Sequence, residues 1–358
     1  MTDKAARVIA FYLPQFHPIP ENDEWWGTGF TEWRNVAKAK PLYPGHYQPH
    51  IPADLGFYDL RVPETRLAQA ELAQQYGVHG FCYYHYWFGG RRILEHPFNE
   101  VLDSGEPNLP FCLCWANHSW NSIWQGTPDN LLIEQVYPGM DDHERHFQYL
   151  LSAFADDRYI KVDGKPLFVL YKPDDIPDVV RVTDFWRERA LQVGLKGLHI
   201  VGVAHRSEIW DPRERGLDSC TMQALPTING RIPRKYLWTK LKRWSQGNKN
   251  KLSIYDYEAV LPSLMRQNKA DFLDYPLVLP NWDNTPRAGM NGLVLHDANP
   301  EAFRKHLREA LNRITNLPQE NRIVFAKAWN EWAEGNHLEP DMRYGHGFLQ
   351  VVKDEIYG

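Results

Sequence analysis

The chain has 358 residues, 24% of them charged, and carries a formal net charge of −5. That length admits a large core in one or two domains, and the mildly acidic balance excludes a molecule organised as a whole around nucleic acid. Aromatic residues reach 13%, and many stand beside polar residues rather than in apolar runs. Flat rings next to hydrogen-bonding groups suit a sugar, although large cores use aromatics too.

The opening "MTDKAARVIAFYLPQFHPIP" lacks a secretory leader's layout, because its short apolar run ends at Pro14 without a small-residue cleavage site. No apolar run approaches the roughly 18 residues of a membrane-crossing helix. A cytoplasmic protein is the expectation. The first strand is "RVIAFYL" (7–13), followed by an insertion over 14–62 rich in Trp, Pro and His. "PETRLAQAELAQQYG" (63–77) begins with Pro and ends with Gly, as helices do. The next strands are "HGFCYYHYW" (79–87) and "FCLCWAN" (111–117), with a helix at "MDDHERHFQYLLSAF" (140–154). "PLFVLYK" (166–172), the helix "DVVRVTDFWRERALQVG" (178–194) and "LHIVGVA" (198–204) continue the alternation. His205 to Leu217 lacks a clear helix before the sixth strand, "SCTMQAL" (219–225).

A second insertion spans 226–254. Its stretch from Arg231 to Lys251 holds eight Lys or Arg and no acid. It reads as a solvated face or as a surface for an anionic partner, such as a lipid-linked glycan or a membrane. Trp238, Leu241 and Trp244 would form its apolar side. The seventh strand is "PLVLPNW" (276–282), then the helix "NPEAFRKHLREALNRI" (299–314), the eighth strand "RIVFAKAW" (322–329) and a closing helix in "GFLQVVKDEIYG".

Eight strands apolar on both faces, alternating with helices, point to a single (β/α)8 TIM barrel over 1–358, with long insertions in the βα loops. An open doubly wound sheet is the alternative, but neither a G-x-G-x-x-G turn nor a P-loop is present. The four cysteines, Cys82, Cys112, Cys114 and Cys220, lie in strand-like runs and read as buried thiols. The histidines His85, His118 and His205 show no H-x-H or H-E-x-x-H spacing, so no metal and no cofactor are expected.

A barrel works at the C-terminal ends of its strands. Those ends are loaded here: Tyr12, Gln15 and His17; Tyr84, His85 and Trp87; Trp115, Asn117, His118 and Trp120; Tyr171; His205; Trp282, Asp283 and Arg287; Asn330 and Trp332. Trp26 and Trp33 in the first insertion join them as substrate contacts. Glu331 and Glu334 leave the eighth strand three residues apart. Cleaving a glycosidic bond needs a proton donor and a second carboxylate, which such a pair supplies. A helix-opening acid and an ion-paired acid are the alternative. Trp332, between them, reads as a wall of the site.

"FYLPQFHPIPENDEWWGTGFTEW" (11–33), "FCYYHYWF" (81–88), "WDNTPR" (282–287) and "WNEWAEG" (329–335) together resemble the WbsX-type proteins. These are relatives of glycoside hydrolase family 99, the endo-acting α-mannosidases and α-mannanases. The resemblance implies a (β/α)8 barrel acting on bacterial surface polysaccharide such as O-antigen. It implies that Glu331 takes the proton of a sugar 2-hydroxyl, giving a 1,2-anhydro sugar. Glu334 then serves as acid and afterwards as base. The expected activity is a retaining endo-acting glycoside hydrolase or transglycosylase. A glycosyltransferase of lipopolysaccharide assembly and a non-catalytic glycan-binding barrel are the alternatives. No nucleic-acid or stable protein partner is expected.

Overall fold

The computed structural model describes residues 4–121, 131–205, 210–225, 252–265 and 270–358. The basic stretch Arg231–Lys251 lies outside the described residues.

All eight apolar runs are strands of one barrel: β1 (Arg7–Tyr12), β2 (Val78–His85), β3 (Phe111–Trp115), β4 (Lys165–Leu170), β5 (His199–His205), β6 (Ser219–Gln223), β7 (Asp274–Tyr275 and Leu277–Val278) and β8 (Ile323–Ala326). Each neighbouring pair is parallel. The strands are buried on both faces because helices cover the outside and side chains fill the inside. Phe11, Tyr84 and Phe325 meet across the interior, with ring centroids 5.5 Å apart in both Phe11 pairs.

The seventh strand starts earlier than its apolar run suggests and is cut by Pro276. Asp274–Tyr275 pairs with β6, and Leu277–Val278 pairs with β8. Proline has no N–H for the ladder, but its carbonyl still accepts from Phe325 N at 2.9 Å. These two pieces, β7, close the ring.

The helices follow their sequence signals. In Pro300–Ile314 the Asn299 side chain accepts from Ala302 N at 3.0 Å, and Ala302, Phe303, His306, Leu307, Ala310 and Ile314 form the buried stripe. Such a cap contributes about 1 kcal/mol. Between β5 and β6 the described residues hold only the 3-10 turn Pro212–Arg215. All four cysteines are buried thiols. Among the described residues no helix is long and apolar enough to cross a membrane.

Two additions shape the rim. The first insertion folds as short helices, Pro20–Trp26 and Glu32–Lys38, laid over the C-terminal ends of the strands. Ser253–Asp256 pairs in parallel with Leu293–His296 in a small separate sheet beside them.

Candidate active site

At the C-terminal end of the barrel lies a cavity of about 310 Å³. That size suits a small ligand or a few sugar units. Side-chain alternation decides which rim residues reach it. On β2, Tyr84 and the following Tyr86 face the cavity. His85 and Trp87, one position out of phase, turn into the helix layer. There His85 Nε2 meets His146 Nε2 at 2.8 Å, and Trp87 donates to Asp142 at 3.0 Å while stacking on His146. On β3 the same parity sends Trp115 outward against His146 and Trp186, while His118 and Trp120 line the cavity.

Of the residues expected at the site, Gln15, Trp26, Tyr84, His118, Trp120, Tyr171, Trp282, Arg287, Glu331 and Glu334 line this cavity. The others do not line it. Tyr12 faces outward and donates to Gln69 at 2.7 Å. His17 is buried beside His96. Trp33 donates to Tyr58 O at 2.7 Å and packs on Trp332. Asn117 is a bracket, with Nδ2 donating to Lys172 O at 2.7 Å and Oδ1 accepting from Lys172 N at 2.8 Å. His205 is exposed and sits against Tyr171 O at 2.8 Å. Asp283 is buried, accepting from Gln48 at 2.7 Å beside His46 at 2.6 Å. Asn330 clamps β1, accepting from Leu13 N at 2.7 Å and donating to Leu13 O at 3.0 Å. Trp332 is 1% exposed and donates to Glu339 at 2.5 Å, so it is core and not a wall of the site.

The two glutamates reach one space because the chain makes a tight return. Asn330–Glu331 pairs with Asn336–His337, and Trp332–Glu334 forms a 3-10 turn. Gly335 then takes φ 58°, and a Cβ there would lie 2.9 Å from Asp283 Cβ. Only glycine meets both demands without a shift. Asp283 N donates to Glu334 O at 2.6 Å and pins the turn to the segment after β7.

Each glutamate has its own cation. Lys327 Nζ lies 2.7 Å from Glu331 Oε1 and 2.9 Å from Tyr84 OH. Arg287 bridges Glu334 at 2.6 Å and Glu32 at 3.1 Å. Burial opposes ionisation of both glutamates. For Glu331, the Lys327 ammonium overrides burial and holds its carboxyl at about 2. For Glu334, burial and the Glu331 charge outweigh Arg287 and push it up to about 8. The two carboxyls face one cavity, and their mutual influence lowers Glu331 and raises Glu334, which fits one proton shared by the pair. Burial lowers His118 to about 4, so it is neutral. With Glu334 protonated, Glu32 and Glu331 balance Lys327 and Arg287, and the described wall has no net charge.

Lys327 and Glu32 escaped the sequence reading. The available signal was a lysine inside an otherwise apolar strand, four residues before Glu331. Tyr86 and Gln223 also line the cavity, Gln223 accepting from Tyr171 OH at 3.2 Å. Behind the turn, Glu339 accepts from Tyr58 at 2.9 Å, Gln69 at 2.7 Å and Trp332.

A family model described as glycosyltransferase WbsX matches residues 8–352. Two curated relatives, each described as uncharacterized protein WxcX, come from Xanthomonas campestris pv. campestris, strains B100 and ATCC 33913. Each is 38% identical over 357 residues, covering 98% of this chain and 50% of the relative. The chain thus spans about half the length of the curated relatives it matches. A solved structure described as a glycoside hydrolase-like protein superposes with a TM-score of 0.59 at 16% identity, covering 99% of this chain and 95% of that one. The GH99 endo-α-mannosidase from Bacteroides thetaiotaomicron gives 0.55 at 16% identity, over 98% and 96%. At that identity the two structures establish the barrel fold alone.

Proposed function

The chain belongs to the family described as glycosyltransferase WbsX, and from that premise we propose that it is an enzyme of bacterial surface glycans. Its reaction is retaining, endo-acting cleavage or transglycosylation of an oligosaccharide or polysaccharide. The observation that carries this reading is the buried Glu331–Glu334 pair on one cavity wall, with Lys327 holding Glu331 low and burial pushing Glu334 up. In the first step Glu331 takes the proton of the sugar 2-hydroxyl. The freed oxygen attacks C1 of the same sugar, the glycosidic C1–O bond breaks, and Glu334 gives its proton to the leaving oxygen. In the second step Glu334, now ionised, takes a proton from water, whose oxygen opens the 1,2-anhydro ring at C1. The ring oxygen recovers the proton held by Glu331. Two inversions at C1 give retention.

The electrostatics suit this exchange. As Glu331 gains a proton, the repulsion that keeps Glu334 protonated disappears, so the pair holds one proton throughout. Replacing water by a sugar hydroxyl turns the same site into a transglycosylase. The balanced charge of the described wall favours a neutral sugar at the reacting position.

The family description favours a second reading, transfer from an activated donor to a lipid-linked acceptor, with Arg231–Lys251 meeting the anionic lipid. Cytoplasmic placement belongs to the same proposal and rests on the reduced thiols. One experiment separates the readings. The protein is incubated with purified O-antigen or α-mannan and assayed for new reducing ends, and in parallel with sugar nucleotides and a lipid-linked acceptor. New reducing ends from the natural glycan, with none from an analogue lacking the reacting 2-hydroxyl, support the anhydro route. Cleavage of the deoxy analogue sinks it, and transfer from sugar nucleotide without cleavage establishes the second reading.

A further inference from the structure

Behind the Glu331–Glu334 turn, on the side away from the cavity, the first insertion and the segment after β8 bring three ligating side chains together. His50, His337 and Asp341 are each under 5% exposed, and their ligating atoms all lie within 4.8 Å of one another. His50 Nδ1 is 3.0 Å from His337 Nε2, and His337 Nε2 is 4.0 Å from Asp341 Oδ2. We propose that His50 Nδ1, His337 Nε2 and Asp341 Oδ2 bind a first-row divalent transition ion such as zinc.

The far atom of two of the three ligands is already fixed. His337 Nδ1 lies 2.9 Å from Glu339 O, a carbonyl that can only accept, so Nδ1 carries the hydrogen and Nε2 presents its lone pair. Asp341 Oδ1 accepts from Arg343 N at 3.0 Å and Tyr344 N at 2.6 Å, which leaves Oδ2 to turn toward the two rings. Outer partners of this kind orient metal ligands. Tetrahedral zinc with nitrogen ligands at about 2.0–2.1 Å needs ligand atoms roughly 3.3 Å apart. The 3.0 and 4.0 Å separations bracket that value. Adjoining space of about 30 Å³, lined in part by these residues, accommodates a water as fourth ligand. Two imidazoles and one carboxylate are a donor set for zinc, iron or cobalt rather than calcium or magnesium.

The ion would brace the site rather than touch a sugar. Among the described residues, none that lines this space also lines the main cavity. The His337 ring stacks on Trp332 with centroids 3.7 Å apart, and Trp332 lies in the turn that carries both glutamates. His50 belongs to the insertion over the rim and His337 to the far end of the chain, 287 residues later. A shared ion would join the two.

The test uses the full chain, with any affinity tag removed, stripped by a chelator and verified as folded by circular dichroism. Zinc is titrated calorimetrically, and cobalt(II) is added separately to follow its visible d–d absorption. The expected result is one equivalent of zinc per chain, a rise in Tm, and a cobalt spectrum that zinc bleaches one for one. Asp341→Asn keeps the backbone-held oxygen, and His50→Ala removes one ring. Each should weaken zinc binding beyond the roughly 10–100-fold expected for loss of an outer partner. Folded wild-type protein that takes up neither zinc nor cobalt overturns the proposal. So does stoichiometric binding that survives in both variants, which would place the ion elsewhere. If His50→Ala does not fold, Asp341→Asn carries the assignment, and wild-type protein that takes up neither ion still overturns it.

Discussion

The rim at β2 and β3 divides its aromatic residues between cavity and packing, whereas the rim at β7 and β8 brings buried charge to the cavity. His85, Trp87 and Trp115 turn outward and pack with His146 and Trp186 beneath the helices. Lys327, Arg287, Glu331 and Glu334 turn inward and form a chain of buried ion pairs at the cavity. Polar aromatic strand ends are therefore not evidence of a site by themselves, because a one-residue step along a strand exchanges ligand contact for packing. What distinguishes the second region is buried charge, which persists only where partners compensate for lost solvation.

Substitutions can break that contrast. The largest effect is expected from Glu334→Gln, which removes the proton donor but keeps a similar shape. Glycan turnover should fall by about 10²–10⁴-fold with Tm almost unchanged. A rate within a few-fold of wild type would remove Glu334 from the chemistry. Next, Lys327→Met leaves Glu331 buried without its cation and should cost about 3–5 kcal/mol in denaturant unfolding. Adding Glu331→Gln should recover part of that loss, and a double variant no more stable than the single would show that the ion pair is not the cause. Trp115→Ala should cost a similar about 3–5 kcal/mol through the cavity it leaves. Protein still folded at low temperature should keep its KM, because Trp115 faces away from the substrate; a raised KM with unchanged stability would erase the distinction between the two rims.

The pH profile gives a smaller, graded effect. Glu334 is raised to about 8 by burial and by Glu331, and it must be protonated to act as the acid. Turnover should hold through neutrality and fall about tenfold per unit above pH 8. A rate that rises there would exchange the roles of the pair. The matching stability term has the sign of a raised carboxyl. It is fully present below the ordinary value of 4.5 and is lost as pH rises through about 8. Smallest is Trp120→Ala. Trp120 is half-buried at the cavity mouth, so losing its face should raise KM by less than about tenfold and leave kcat nearly intact.

The barrel was legible because parallel strands covered on both sides are short apolar runs, and eight of them survive any local ambiguity. The eighth is shorter than its apolar run, Ile323–Ala326 against 322–329, and the seventh differs most. Pro276 interrupts its ladder, and the hydrogen-bonded pieces begin at Asp274, before the apolar run. The glutamates and Arg287 were legible as charges just beyond apolar strands. Parity was not, because a run buried on both faces has no polar alternation to say which side is inner. His85, Trp87 and Trp115 were therefore assigned to the site when packing claims them. Lys327 was overlooked for the reverse reason, since a lysine near a strand end usually marks solvent. His50 and His337 carry no spacing signal, because their meeting depends on the whole barrel closing.

The contacts that assemble the site also set the order in which it can appear. Asn330 holds Leu13 across 317 positions, Tyr58 reaches Glu339 across 281, and Arg287 reaches Glu32 across 255. Contacts of such separation form slowly, after loop closure has already cost its entropy. During synthesis, β1 to β6 can pair while the rim over them stays open. The cavity takes shape only once the return through Gly335 to Asp341 has emerged and folded back onto the first insertion. A nascent or truncated chain lacking that return would keep most of the barrel's strands and lack the turn that brings Glu331 and Glu334 together.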